Sequence, residues 1–369
     1  MRTPIKSTPI PIFDAHLDLA WCAVFFNRDL KADVHEVRRR ERGMTDEPSR
    51  GRGTVTFPEL RRARVAVCVA TLLARGGPAQ KFQPGYKRTD LDYLNQDVAH
   101  CAAHAQLSYY RLMEQQGYLR RLRTSAELHA HWEAWQREPE TTPLGIILSM
   151  EGADPVVTPE QLNSWWDAGL RAIGPAHYGR GHYAYGTATD GPLGERGVEL
   201  LRRMERGGMV LDVTHLSDQS MAEALDVFGG PVLASHHNCR ALVPGDRQLT
   251  DEQIKRLVGR DAVIGAALDA WMLYPGWERG QTQPSVVGLE AVADHIDHVC
   301  QLAGGARHSA IGSDLDGGYG TEQTPRDLDT IADLQKLADI LGTRGYTRRD
   351  VEAIFHGNWL RFFTRALPP

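Results

Sequence analysis

Residues 13–21 read FDAHLDLAW, and they close the apolar run Ile10-Pro11-Ile12-Phe13 on a histidine and a carboxylate, His16 and Asp18. In an extended strand residues i and i+2 face the same way, so both side chains project toward one point, and a metal ion is the natural occupant. The plain alternative is a turn capped by His16 and a helix N-capped by Asp18. What separates the two readings is whether the pattern recurs. Short β-branched or apolar runs stand at 10–16, 63–73, 144–151, 170–177, 209–215, 231–236, 262–269 and 308–314. Stretches of helical period lie between or beside them at 90–116, 159–168, 194–206, 217–228, 250–258 and 286–302, several opened by a capping residue such as Ser217 or Thr250. Strands alternating with helices imply right-handed crossovers and a parallel sheet. Eight of them predict an α/β fold closed as a (β/α)8 TIM-type barrel.

The C-terminal ends of these runs carry His16 with Asp18, Glu151, His177, His215, His236 with His237, Asp269 and Asp314. In a barrel such ends converge, so groups remote in sequence meet at one mouth. That recurrence favours the metal reading of the first stretch. Three imidazoles and three carboxylates exceed the four ligands of a structural zinc site, and they suit two divalent ions sharing a bridging carboxylate and a bridging water. Glu151 is the natural bridge, with Gly152 leaving room beside it. Imidazole with carboxylate favours zinc, while manganese, cobalt or iron fit the same donors.

The 369 residues are read as one domain, residues 1–369, with an irregular insertion at about 27–53 near the mouth and closing helices at about 325–363. No linker divides the chain and no internal repeat is present. With 42 basic and 47 acidic side chains the formal net charge is -5, which argues against general attraction to nucleic acid or an anionic membrane. The N-terminal segment, broken by three prolines, lacks the apolar core of a signal peptide; no segment is apolar enough to span a bilayer, and the Ala-Leu-Pro-Pro terminus is no lipid-anchor signal. A cytoplasmic enzyme is therefore expected. The five scattered cysteines read as buried reduced thiols.

Taken in order, FDAHLD, SMEGADP, LDVTHLSD, ASHHNCRALVPGDRQLTDEQI, IGSDLDGG and the terminal HGNWLR resemble the motifs of the membrane (renal) dipeptidase family, a binuclear-zinc branch of the amidohydrolase superfamily. The likeness runs over essentially the whole chain. It implies that His16, Asp18 and Glu151 hold one metal and that Glu151, His215 and His236 hold the other. It further implies that His177 touches the substrate carbonyl, that Arg247 pairs with the substrate's free carboxylate, and that Asp314 shuttles the proton. No lysine stands at these strand ends, which fits the Glu-bridged branch. The implied activity is hydrolysis of dipeptides, L,L and also L,D, by a metal-bridging hydroxide, with a small dipeptide as partner and a homodimer left open. A related amidohydrolase acting on a non-peptide or N-acyl amino acid substrate, and a catalytically idle barrel, are the rival readings.

Two positions depart from the family. His236-His237 replaces a single histidine, and since adjacent strand residues face opposite ways only one can reach the metals; the S-H pattern favours His236. Strand seven ends Leu268-Asp269-Ala270-Trp271 where many relatives carry an aromatic pair, which bears on side-chain preference. The helical pairs His295 with His298 and His100 with His104 are expected on exposed polar faces. His182, Tyr183 and Tyr185 form a packed loop or line the pocket, and Asp154 and Asp316 act as caps or support for the ligands.

Overall fold

Each of the eight apolar runs contains a strand in the computed structural model, which describes residues 9–77 and 91–369. They are β1 Ile12–Leu17, β2 Val65–Leu73, β3 Leu144–Glu151, β4 Leu170–Gly174, β5 Val210–Asp212, β6 Val232–Leu233, β7 Ile264–Ala266 and β8 Ser309–Ile311. The first six pair in parallel in chain order, and a short strand, Leu119–Arg121, also pairs with the start of β3. β7 and β8 form a second parallel ladder, which meets β6 through the parallel bridge Ala234–Ile264. On its far side the Asp314 amide donates to the His16 carbonyl at 3.2 Å. The fold is thus α/β, built on parallel strands.

Strand alternation sorts the core into two layers. Phe13 and Ala15 of β1, Val67 and Val69 of β2, Ile147, Ala172, Val210, Leu233, Ala310 and Val263, just before β7, form one buried cluster with Trp359 and Phe363. Their neighbours, such as Ile12, Ile146, Ile173, Leu211 and Ile311, join the larger cluster against the helices. The Asn358–Ala366 helix brings Phe363 onto Phe13 with rings stacked at 5.4 Å, and the Trp359 indole donates to the Ile311 carbonyl at 2.9 Å.

Several predicted elements need correction. β5 to β8 are three residues or fewer, and they stop well before His215, His236, Asp269 and Asp314, because the backbone turns there. The helix predicted over 90–116 runs Gln96–Gln115, and residue 90 lies outside the described residues. The last helix is broken by a π-turn at Ala353–Gly357. The insertion at 27–53 is not wholly irregular: Val34–Arg40 is a helix with Asp33 as N-cap. Buried Arg28 ties this insertion to the loop after β8, contacting Glu41 at 2.8 Å and Asp316 at 3.4 Å. Cys101 is exposed, while the other four cysteines are buried and all five are free. Among the described residues no helix is long and apolar enough to cross a membrane.

Of the two histidine pairs expected on exposed faces, His104 is exposed, His100 and His298 are half-buried and His295 is buried. His100 and His104 pack against Trp165, at 5.4 and 4.4 Å between ring centroids. His298 pairs with Asp251 at 2.8 Å. His295 is buried, and its Nδ1 accepts from the Cys239 amide at 3.0 Å, so it faces the core and not solvent. Burial, with His298 adding to it, pushes its pKa down to about 4 from the ordinary 6.5. Between those values the unfolded chain binds a proton that the folded chain refuses, so stability falls as the pH drops. The full window corresponds to roughly 3 kcal/mol. Denaturant titrations at pH 7 and pH 4.5 should show a smaller acid-induced loss in His295→Asn, which keeps an acceptor for Cys239, than in wild type; equal losses would disprove the assignment.

Candidate metal centre

Two aspartates that the sequence reading passed over shape the strand ends. Asp14 accepts from the amides of His16 (3.2 Å) and Ser313 (2.8 Å), joining β1 to the segment after β8. Asp212 does the same for Thr214 (3.0 Å) and Ser235 (3.1 Å), joining β5 to β6. Each carboxylate serves the amide two residues on and one from the next strand, satisfying donors where the ladder stops. The shared signal was an Asp two residues before a polar residue, in DAH and DVT. Past these staples the chain turns sharply: His215 has φ +69° and Asp314 φ +58°, in the left-handed region that side-chain-bearing residues rarely occupy. Gly265 and Gly312 let the Ser235 carbonyl approach closely, since a Cβ on either would stand 2.0 or 1.7 Å from that oxygen. This close approach accompanies the bend that carries His236 inward.

The result is a buried cluster centred on Glu151. Its Oε2 lies 3.4 Å from His16 Nε2, while its Oε1 lies 3.1 Å from His215 Nε2 and 3.3 Å from His236 Nε2. Asp18 Oδ2 and Asp314 Oδ1 each stand 3.8 Å from His16 Nε2. Asp18 does occupy the N-cap position of the Leu19–Phe25 helix, yet its side chain makes no capping bond there and instead accepts from the Thr71 hydroxyl. Hydroxyls hold the outer ring nitrogens: Thr187 Oγ1 is 3.0 Å from His215 Nδ1, and Ser235 Oγ is 2.9 Å from His236 Nδ1 and 3.4 Å from His16 Nδ1. The Nε2 atoms are thereby left facing one another, the orientation that outer partners impose on metal-binding imidazoles. Within the cluster the sets His16–Asp18–Glu151 and Glu151–His215–His236 each keep their ligand atoms within 4.8 Å, as does His16–His236–Asp314.

The electrostatics point the same way. Burial disfavours a charged His16, but Glu151 and Asp18 outweigh it and raise the pKa well above the ordinary value, although the buried Nε2 has no hydrogen-bond partner. Burial raises Glu151, and it raises Asp314 strongly with Glu151 and Asp18 adding to the effect. Burial lowers His215 and His236. Carboxylates and imidazoles crowded in this way form a donor set that a divalent ion satisfies.

The remaining site residues surround the cluster. His177 Nε2 is 3.8 Å from Glu151 Oε1, and burial together with Arg75 and Arg247 keeps the ring neutral. Arg247 is buried; its Nη2 donates to the His236 carbonyl at 2.9 Å and its Nη1 has no partner. His237 does not reach Glu151. Its amide donates to the Gly265 carbonyl at 2.7 Å and its buried ring interacts with the Arg247 backbone. Asp18, Glu151, His177, His215, Arg247 and Asp314 all line one cavity of about 570 Å³. His182 does not; with Asp154 it forms a loop staple, in which Asp154 accepts from the amides of Gly76 (3.1 Å) and His182 (2.9 Å). Asp316 similarly holds Thr54 and Val55.

Residues 6–367 match the model of the membrane dipeptidase family, peptidase family M19. The chain belongs to this family. A protein from the pqqA 5′ region of Klebsiella pneumoniae is 28% identical over 235 residues, covering 61% of this chain and 83% of its own. Dipeptidase tcpJ of Claviceps purpurea is 30% identical over 200 residues, which span 52% of this chain and only 44% of that protein. The fold is shared with a metallopeptidase from Rhodobacter sphaeroides, solved with a phosphinate mimic of the dipeptide L-Ala-D-Ala: TM-score 0.77 at 22% identity, over 97% of this chain and 100% of the other. Membership in the membrane dipeptidase family implies a metallopeptidase that takes divalent metal, and this cluster is the candidate group of residues to hold it.

Because Glu151 presents one oxygen to each ligand set, Glu151→Gln should lower the content of all bound divalent metal. His236→Ala should likewise lose metal, whereas His237→Ala should retain it. Elemental analysis after metal reconstitution checks both, and retention by His236→Ala with loss by His237→Ala would reverse the assignment.

Proposed function

We propose that this chain is a dipeptidase carrying two divalent ions, zinc being the choice favoured by imidazole with carboxylate. His16, Asp18 and Glu151 would hold one ion and Glu151, His215 and His236 the other. The observation that carries the reading is the division of Glu151: Oε2 toward His16, Oε1 toward His215 and His236. The chemistry such a pair supplies when bound is Lewis acidity, making water nucleophilic near neutral pH and polarising a carbonyl.

The chain's own residues supply the rest. Arg247, with one guanidinium nitrogen already anchored and another unpartnered in the cavity wall, would take the substrate's C-terminal carboxylate and select short peptides with a free end. Neutral His177 can donate to the scissile carbonyl oxygen as negative charge develops there, an effect worth on the order of 3 kcal/mol for a single donor. Asp314, its side chain 15% exposed toward the cavity, would take a proton from the attacking water and deliver it to the leaving amine. The L-Ala-D-Ala mimic in the Rhodobacter sphaeroides relative supports including L,D-dipeptides among the substrates. We also read the chain as one domain whose eight strands close into a (β/α)8 barrel, supported by the inner apolar cluster drawn from every strand position and by the Asp314–His16 bond. The free thiols support a reducing, cytoplasmic setting.

Steady-state kinetics on a dipeptide panel test the division of labour. Asp314→Asn should lower kcat by about a hundredfold or more with metal content normal. Arg247→Met should chiefly raise KM and narrow the gap between a dipeptide and its C-terminal amide. If wild type cleaves the amide as well as the acid, Arg247 is no carboxylate anchor and the substrate is not selected as a free dipeptide.

A further inference from the structure

Asp269 is the cavity carboxylate that the reaction leaves unused. It lines the same cavity as Arg247 and Asp314, is 7% exposed, and stands on the loop after β7. Its hydrogen-bond partners among the described residues are all neutral. Gln323 Nε2 donates to both oxygens, at 2.8 and 3.0 Å, and the Trp271 amide donates at 3.4 Å, making Asp269 the N-cap of a single 3-10 turn, Ala270–Met272.

The cap bond does not require a carboxylate, since Asn caps a turn as well as Asp does. Only the second bond from Gln323 uses the extra acceptor oxygen of a carboxylate, and a neutral donor does not answer a full charge. A buried anion with no cation costs free energy that an isosteric amide avoids. The guanidinium groups of the cavity do not remove that cost. Arg75 is paired with Asp92 at 2.6 Å, Arg247 donates to the His236 carbonyl, and Arg279, which acts on Asp269 at longer range, is exposed and donates to the Gly318 carbonyl at 2.8 Å. Burial accordingly pushes the Asp269 pKa up to about 7. Trp271, Trp277 and Tyr178 line the cavity with it, and aromatic faces accept a cation where they would repel an anion.

We propose that Asp269 is a specificity-determining residue that receives a positively charged nitrogen of the substrate, an ammonium or guanidinium, in the cavity where Arg247 takes the carboxylate. The inference rests on the dipeptide reading of the site and extends it to substrate choice. A dipeptide can offer that charge from its α-amino group or from a lysine or arginine side chain, and the two sources separate experimentally.

The test compares kcat/KM for two matched pairs in wild type and Asp269→Asn, with thermal melting confirming that both are folded. One pair is a free-amine dipeptide and its N-acetyl form. The other is a lysine-containing dipeptide and its norleucine analogue, with lysine placed at either position. Wild type should favour the charged member of one pair, and Asp269→Asn should shrink that ratio by a factor of about ten, the scale of one charge-assisted bond. A change in the first pair assigns the α-ammonium and a change in the second the side chain. The proposal is overturned if wild type shows no preference in either pair, or if neither ratio moves by more than about twofold in the variant. Should wild type cleave no dipeptide, the dipeptidase reading fails separately, and calorimetric binding of the same pairs to the same two proteins decides the role of Asp269 by the same ratios.

Discussion

A single buried carboxylate organises this molecule. Glu151 closes β3 in the middle of the parallel ladder, where neighbouring strands shield it from water, and among the described residues no arginine or lysine is paired with it. Desolvating an anion in that way is costly unless cations or strong donors surround it. The imidazoles of His16, His215 and His236 are arranged around it from three other strand ends, with the Ser235 and Thr187 hydroxyls at their outer nitrogens. Where those hydroxyls accept from the outer nitrogens, the inner ones are free to bind a divalent metal. With metal held as proposed, metal binding and the stability of the strand ends would be coupled through this one side chain.

That coupling explains which features were legible in the sequence. The strand positions were readable because apolar runs with period two must pair, and all eight runs contain strands. The candidate ligands were readable because they recur at the ends of those runs, and the structure brings them together. Their conformation was not. His215 and Asp314 were read as strand residues, yet both sit in left-handed turns, which a histidine or aspartate adopts only when the surroundings impose it. The Asp14 and Asp212 staples that stabilise those turns act across strands, so a linear pattern shows half of each contact. His295 shows the same gap. Its helical spacing suggested an exposed face, but the helix turns that residue to the Cys239 amide, and only the packing of neighbouring elements reveals it.

The loops carry their own ionic framework. Arg28 bridges Glu41 of the insertion and Asp316 of the loop after β8, and Arg50 joins Glu41 at 2.8 Å while also pairing with Asp46. Asp316 in turn accepts from Thr54 and Val55. Buried charges of this kind add little net stability compared with apolar packing, but breaking one leaves the others uncompensated. Here they fix the loop two residues beyond Asp314. In the role proposed for Asp314, a carboxylate held on a left-handed turn would need such support, since a small displacement would remove it from reach of both water and leaving group.

Acid residues in this cavity consequently fall into two kinds that the same residue type conceals. Asp18, Glu151 and Asp314 face the His16 imidazole, and the metal proposed for Asp18 and Glu151 would answer the charge gathered there. Asp269 faces an amide and a backbone N–H, and among the described residues no cation is paired with it. A cavity that sets three of its carboxylates beside imidazoles and leaves a fourth to neutral neighbours holds a charge that a transient ligand can neutralise. The three acids beside imidazoles are thus the ones a metal reaction would use, and the remaining acid is available for selection among substrates.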